Sequence, residues 1–122
     1  MANYHAAINS VFQALSDPTR CEIVSMLGRG AQTVSVLAHP FDMALPSFMK
    51  HLAVLEHSGL IRTHKTGRAR TCELLPARLS EAETWLAEQR AVWEARSDRM
   101  VEFVEHLHEE EQAHVAGTRR KR

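Results

Sequence analysis

Three features of this 122-residue chain predict a mainly α-helical fold with one small β-hairpin. They are short amphipathic segments through the first half, a glycine-centred basic hairpin near residues 60–75, and a long helical run beyond it. The central stretch reads "MALPSFMKHLAVLEHSGLIRTHKTGRAR", residues 43–70, an amphipathic helix joined to the first part of a hairpin, which up to residue 70 carries Arg62, Lys65, Arg68 and Arg70 and no acid. Helix, turn, helix and hairpin in this order describe a winged helix-turn-helix, and the long C-terminal segment suits a dimerisation helix.

The first helix is expected within residues 1–15, from Tyr4 to Leu15, because Ala7, Ile8, Val11, Phe12 and Leu15 fall on one stripe. In Asp17-Pro18-Thr19-Arg20 an aspartate can cap and a proline can occupy the first helical position of a second helix running through Leu27. Ile23, Val24 and Leu27 form its apolar face, and Gly28 or Gly30 ends it. Thr33 can cap a short third helix, Val34 to Ala38, before Pro40 and Asp42 break the chain.

A recognition helix follows at about residues 45–58. Phe48, Leu52 and Leu55 hold one stripe that Leu60 and Ile61 continue, while Ser47, Lys50, His51 and His57 fall largely elsewhere. Pro46 suits a first turn, where a missing amide hydrogen leaves no bond unmade. Gly59 can take the left-handed conformation that closes a helix, with apolar Leu60 packing just after it. The wing, about residues 60–75, is two strands, Leu60 to His64 and Ala69 to Leu75, around a Lys65-Thr66-Gly67-Arg68 turn whose glycine supplies positive φ. Residues 17–76 thus make up the head, too closely joined for helix and hairpin to move apart.

From residue 79 to about 112 the sequence is free of glycine and proline. Leu86, Trp93, Met100 and Leu107 recur every seven residues, and Val92, Phe103 and Val104 widen the stripe. Such a helix offers more apolar face than a small head can cover, so the expected partner is a second copy of the chain. The expected dimer interface is Leu86, Trp93, Met100, Phe103 and Leu107, with Ile8, Val11 and Phe12 of the first helix. Gln89 and Arg96 interrupt the alternate positions and argue against a regular coiled coil. Residues 113–122, ending in "GTRRKR", are expected to be a disordered basic tail.

The length suits a single domain over residues 1–122 with a modest core. No apolar run approaches the ~20 residues of a membrane span, and no basic-then-apolar signal pattern opens the chain. A soluble cytoplasmic protein with reduced thiols at Cys21 and Cys72 is therefore expected. Net charge is zero, yet it is unevenly distributed. Residues 1–80 carry eight Lys and Arg against five acids, residues 81–111 three against ten, and residues 119–122 are all cationic. A basic head can meet phosphates while an acidic segment faces elsewhere.

Double-stranded DNA is the partner this pattern implies. The expected contacts are Ser47, Lys50 and His51 on the recognition helix and Arg62, Lys65, Arg68 and Arg70 on the wing. Ser47 lies in the first turn, where hydroxyl and backbone amides meet a phosphate or base edge. Lys50 reaches guanine O6 and N7 or a phosphate, His51 donates to either, and Arg68 sits at the hairpin tip. The chain has no glycine-rich phosphate loop, nucleophile elbow or catalytic spacing, so an enzyme is not expected, nor a cofactor. The rival reading is a winged helix used for protein interaction alone. Four cations within nine residues of the wing weigh against it.

In its "ALSDPTR", "KHLAVLEHSGLI" and basic-wing segments, taken in this order and spacing, the chain resembles the ArsR-type (ArsR/SmtB) family of bacterial winged-helix regulators. The resemblance covers most of residues 8–76 and the long helix beyond. It implies a homodimer that binds a partly palindromic operator, usually represses, and releases DNA when an inducer binds; the inducer is not legible. Where many members carry Cys-x-Cys in the third helix, this chain has Thr33 and Ser35, which supply no thiolate. The second metal site of such proteins is broken too, since Asp98 is followed by Met100 and His114 by Gly117. A metal- or thiol-responsive variant using His106, His108 and His114 or Cys21 and Cys72 is the remaining alternative, with a solvated polar face as the expectation for the histidines. Ala44 stands where relatives often have a capping serine, and Phe48-Met49 where they have Val-Ser. Loss of the cap costs about 1 kcal/mol of helix stability, and Met49 can meet a thymine methyl instead.

Overall fold

The computed structural model describes the backbone of residues 2–120 and the side chains of residues 5–117. Eight elements follow in order among them: α1 (Ala2–Ala14), α2 (Pro18–Leu27), β1 (Gln32–Thr33), α3 (Val34–Ala38), α4 (Leu45–His57), β2 (Ile61–Thr66), β3 (Ala69–Leu74) and α5 (Pro76–Arg120). The chain divides into two units, Met1–Thr84 and Trp85–Arg122.

The first unit is a winged helix-turn-helix, as its sequence predicts. Its core joins Val11 and Ala14 of α1, Ile23 and Leu27 of α2, Leu37 of α3 and Phe48, Leu52 and Leu55 of α4. Leu60, Ile61, Cys72 and Ala82 complete it. The rings of Phe41 and Phe48 lie 5.5 Å apart, so the loop into α4 packs on the helix it introduces.

The boundaries follow local chemistry. Asp17 caps α2 by accepting from the Arg20 amide at 3.1 Å, and Pro18 opens the helix. Thr33 caps α3 through Oγ1, which accepts from the Val36 amide at 3.3 Å. Ala44 stands at the cap of α4 and offers no side-chain bond, the deficit its sequence predicts. At the other end of α4, the Leu60 amide donates to the Leu55 carbonyl at 3.1 Å and the Gly59 amide to the Glu56 carbonyl at 3.0 Å. Gly59 has φ of 80°. This is the left-handed cap with a following apolar residue, formed where only glycine is unstrained.

The sheet has three antiparallel strands in the order β1-β3-β2. Pairing of Thr66 with Ala69 leaves Gly67 and Arg68 as a two-residue connection, tighter than the sequence suggests, with Gly67 at φ 64°. The third strand is an addition: Gln32 pairs with Cys72 and Thr33 with Thr71. Two residues have no alternation to read, so β1 is invisible to periodicity. The Leu75 amide then donates to the Leu60 carbonyl at 2.8 Å, tying the entry of α5 to the exit of α4.

The second unit consists of the distal part of α5. That helix starts three residues earlier than expected and continues through Arg120, so residues 113–120 are helical rather than a disordered tail. Ala113 and Ala116 favour continuation, and a single glycine costs only about 1 kcal/mol inside a helix. Lys121 and Arg122 lie outside the described residues. On this stretch Leu86, Val92, Trp93, Met100, Val101, Phe103, Val104, Leu107 and Val115 are all exposed, Trp93 at 67%. Its polar flank carries ion pairs one turn apart, Arg90 with Glu94 at 3.7 Å and His106 with Glu110 at 3.0 Å.

Of the α1 residues expected at the dimer interface, Ile8 and Val11 are already covered by this chain's own head. Ile8 is 3% and Val11 1% exposed within the single chain, and Phe12 packs half-buried against the core. The stripe of α1 is spent on its own head, because α1 is the element that closes the core over α4. Ile8 and Val11 present no free surface to a partner.

Candidate nucleic-acid interface

The apolar face of α4 turns inward through Phe48, Leu52 and Leu55, and that forces Ser47 and Lys50 to the surface. His51, one turn after Ser47, is half-buried, with 22% of its side chain exposed. Its Nδ1 lies 3.2 Å from Arg20 Nη1 and 3.8 Å from Asp17 Oδ2. Arg20 in turn donates from Nε to the Ala14 carbonyl at 2.6 Å and from Nη2 to the Gln13 carbonyl at 3.3 Å. One guanidinium therefore satisfies carbonyls at the end of α1 and touches the exposed side of α4. The Asp17 carboxyl is held below its ordinary range, first by the Arg20 amide it accepts, then by the charges of His51 and Arg20, with partial desolvation opposing them.

The wing is fastened to α4 by a polar link. Glu56 of α4 accepts from the Thr63 amide at 3.3 Å and from Thr63 Oγ1 at 3.0 Å. Arg70 donates to the same hydroxyl oxygen from Nε and Nη2, each at 3.3 Å. Arg62 is ion-paired across the strands with Glu73. Of the four wing cations, Arg62 and Arg70 are thus held against the sheet, whereas Lys65 and Arg68 stand exposed at the tip.

Asp17, Arg20, Glu56 and Thr63 are the site residues that sequence reasoning does not reveal. Asp17-Pro18 announces a cap, but nothing in the local pattern says that Arg20, three residues on, reaches back to α1 and across to α4. Glu56 reads as a solvent-facing acid until Thr63 is brought beside it.

Both cysteines are free thiols. Cys21 is exposed, its Sγ donating to the Leu15 carbonyl at 2.9 Å. Cys72 lies in the core under the wing, where burial pushes its thiol pKa up; the charge of Glu56 adds to this and that of Arg70 opposes it. Among the described residues, no group of three or more His, Cys, Asp or Glu side chains could hold a metal ion. His108 is within 3.1 Å of Gln112, and His106 pairs with Glu110. No helix among the described residues is long and apolar enough to cross a membrane.

Comparison with known proteins agrees with this geometry. Residues 15–64 match a helix-turn-helix domain family. The chain is 33% identical over 79 residues to the transcriptional repressor SdpR of Bacillus subtilis, covering 65% of this chain and 88% of that protein. It is 34% identical over 88 residues to the arsenical resistance operon repressor of Escherichia coli, covering 67% and 75%. Among solved structures, an ArsR family transcriptional regulator matches at 57% identity and TM-score 0.70, over 73% of this chain and 92% of that one. An ArsR-like transcriptional regulator from Rhodococcus sp. RHA1 matches at 36% identity and TM-score 0.69, over 79% and 91%.

Proposed function

The chain belongs to the ArsR family of winged helix-turn-helix transcriptional regulators, and on that premise we propose that it is a sequence-specific DNA-binding repressor acting as a homodimer in the cytoplasm. It performs no catalysis. The head, residues 17–76, reads one half of a partly palindromic operator, and the distal part of α5 pairs with its copy.

The observation that carries this reading is the way the head mounts its cations. Ser47 and Lys50 stand out from α4, and the Glu56–Thr63 link and the Leu60–Leu75 bond hold the wing rigidly to that helix. Lys50 and His51 meet base edges in the major groove, and Ser47 meets a base or a phosphate at the helix start. Arg68 and Lys65 meet phosphates or the flanking minor groove. Arg62 and Arg70 add to the field while shaping the wing. Apolar exposure from Leu86 through Leu107 supports the paired α5 helices.

A fluorescence titration of the purified protein with duplex from upstream of its own gene, against random duplex and over a salt series, tests the proposal. Tighter binding to the upstream duplex, weakening steeply with salt, is the expected result. Equal affinity for both duplexes, or affinity indifferent to salt, refutes it.

A further inference from the structure

We propose that Arg20 is a specificity-positioning residue: it fixes His51 as the tautomer protonated on Nε2, so that α4 presents a hydrogen-bond donor rather than an acceptor to the base it meets. The donor's role at DNA rests on the reading of α4 given above; the tautomer itself does not.

A guanidinium carries five N–H groups and no acceptor. The contact of 3.2 Å between Arg20 Nη1 and His51 Nδ1 therefore runs one way, with Nδ1 accepting. In a neutral imidazole the proton then resides on Nε2. Arg20 cannot swing aside without cost, because its Nε and Nη2 are committed to the Ala14 and Gln13 carbonyls. Asp17 Oδ2, 3.8 Å from the same ring nitrogen, accepts the Arg20 amide and so holds the start of α2 in place.

The other ring nitrogen is available. Nε2 makes no hydrogen bond among the described residues, and no buried side-chain N or O atom there lacks a partner, so Nε2 of the half-buried His51 reaches solvent. It does so one turn from Ser47 and beside Lys50. In the major groove an N–H donor pairs with guanine N7 or O6, adenine N7 or thymine O4, and meets only the amino donor of cytosine. His51 therefore selects against cytosine at one position of each half-site.

The test begins with the free, full-length protein labelled with nitrogen-15. A two-bond proton–nitrogen spectrum at mildly alkaline pH is expected to show His51 Nδ1 as the bare nitrogen and Nε2 as the protonated one. Arg20→Leu is expected to yield a mixture of tautomers, and Arg20→Lys, which keeps a donor, to restore the wild-type pattern. In the operator titration, wild type is expected to disfavour cytosine by about tenfold at one base pair. Arg20→Leu and His51→Ala are both expected to erase that preference and leave the salt slope unchanged. Thermal melting monitors any unfolding caused by Arg20→Leu, and the lysine variant keeps the comparison valid if the leucine variant unfolds. A His51 protonated on Nδ1 in the free wild type overturns the proposal, as does a tautomer and base preference indifferent to Arg20. A protein with the stated tautomer but no operator binding overturns the DNA-reading assignment instead.

Discussion

Lys65 and Arg70 stand directly opposite each other across β2 and β3, two cations in register next to the hairpin tip. Like charges facing each other across antiparallel strands destabilise by about 0.2–1 kcal/mol. Lys65→Thr is thus expected to raise the melting temperature slightly while weakening binding to every duplex. The Arg68→Ala, Lys65→Thr double variant should flatten the slope of log affinity against log salt by about 0.9 for each phosphate no longer neutralised. Unchanged slope in the double variant removes the wing from the interface.

Phe48 is the largest side chain fully buried in the head, and its ring lies tilted against that of Phe41. Phe48→Ala should destabilise the head by about 3–5 kcal/mol. Chemical denaturation followed by circular dichroism measures this. A change under about 1 kcal/mol, on the order of a surface substitution, is inconsistent with Phe48 at the centre of the core.

Two groups make stability depend on pH at opposite ends. The folded pKa of Asp17 is depressed below its ordinary 3.8, so its stabilisation is present above that value and lost as pH falls through the lower folded one. Asp17→Asn, which keeps a capping oxygen, should leave neutral-pH stability nearly unchanged and reduce the loss in acid. The folded pKa of Cys72 is raised above 9.0. Its contribution is full below the unfolded value and lost as pH climbs toward the folded one, so Cys72→Ala should flatten the alkaline limb. A thiol reagent should label Cys21 quickly and Cys72 only on unfolding.

Trp93 and Met100 lie seven residues apart on the exposed stripe of α5. Sedimentation of the wild type should give a dimer at micromolar concentration without added metal. Trp93→Glu with Met100→Glu should give a monomer with a folded head and operator affinity lower by on the order of a hundredfold, the loss expected when linked half-sites are bound separately. A double variant that remains dimeric moves the interface elsewhere.

Much of the head is legible in its sequence because its determinants are local. Asp17-Pro18, Thr33 and Gly59 mark boundaries through bonds that span three to five residues, and Phe48, Leu52 and Leu55 betray a buried face through their spacing. What escapes such reading depends on distant partners. Ile8 and Val11 form an apolar stripe that says they are buried, but not whether the covering surface belongs to the same chain. At the end of α5 Gly117 and the cationic residues after it suggest a tail, although one glycine is too weak a signal to stop the helix. Arg20 reaches His51 thirty-one positions away, a separation at which no sequence pattern remains to be read.

Thr33 belongs to two elements at once: it pairs with Thr71 at the edge of the wing sheet, and its hydroxyl caps α3. The helix-turn-helix and the wing therefore share a rivet. A head riveted in this way has no joint with which to absorb an extra base pair between the groove its helix enters and the phosphates its wing touches. One inserted pair rotates the second target by roughly a tenth of a helical turn, and the protein must release one of its two targets or deform the duplex. Tolerance for variable operators can arise between the two half-sites, but inside each the ruler is fixed.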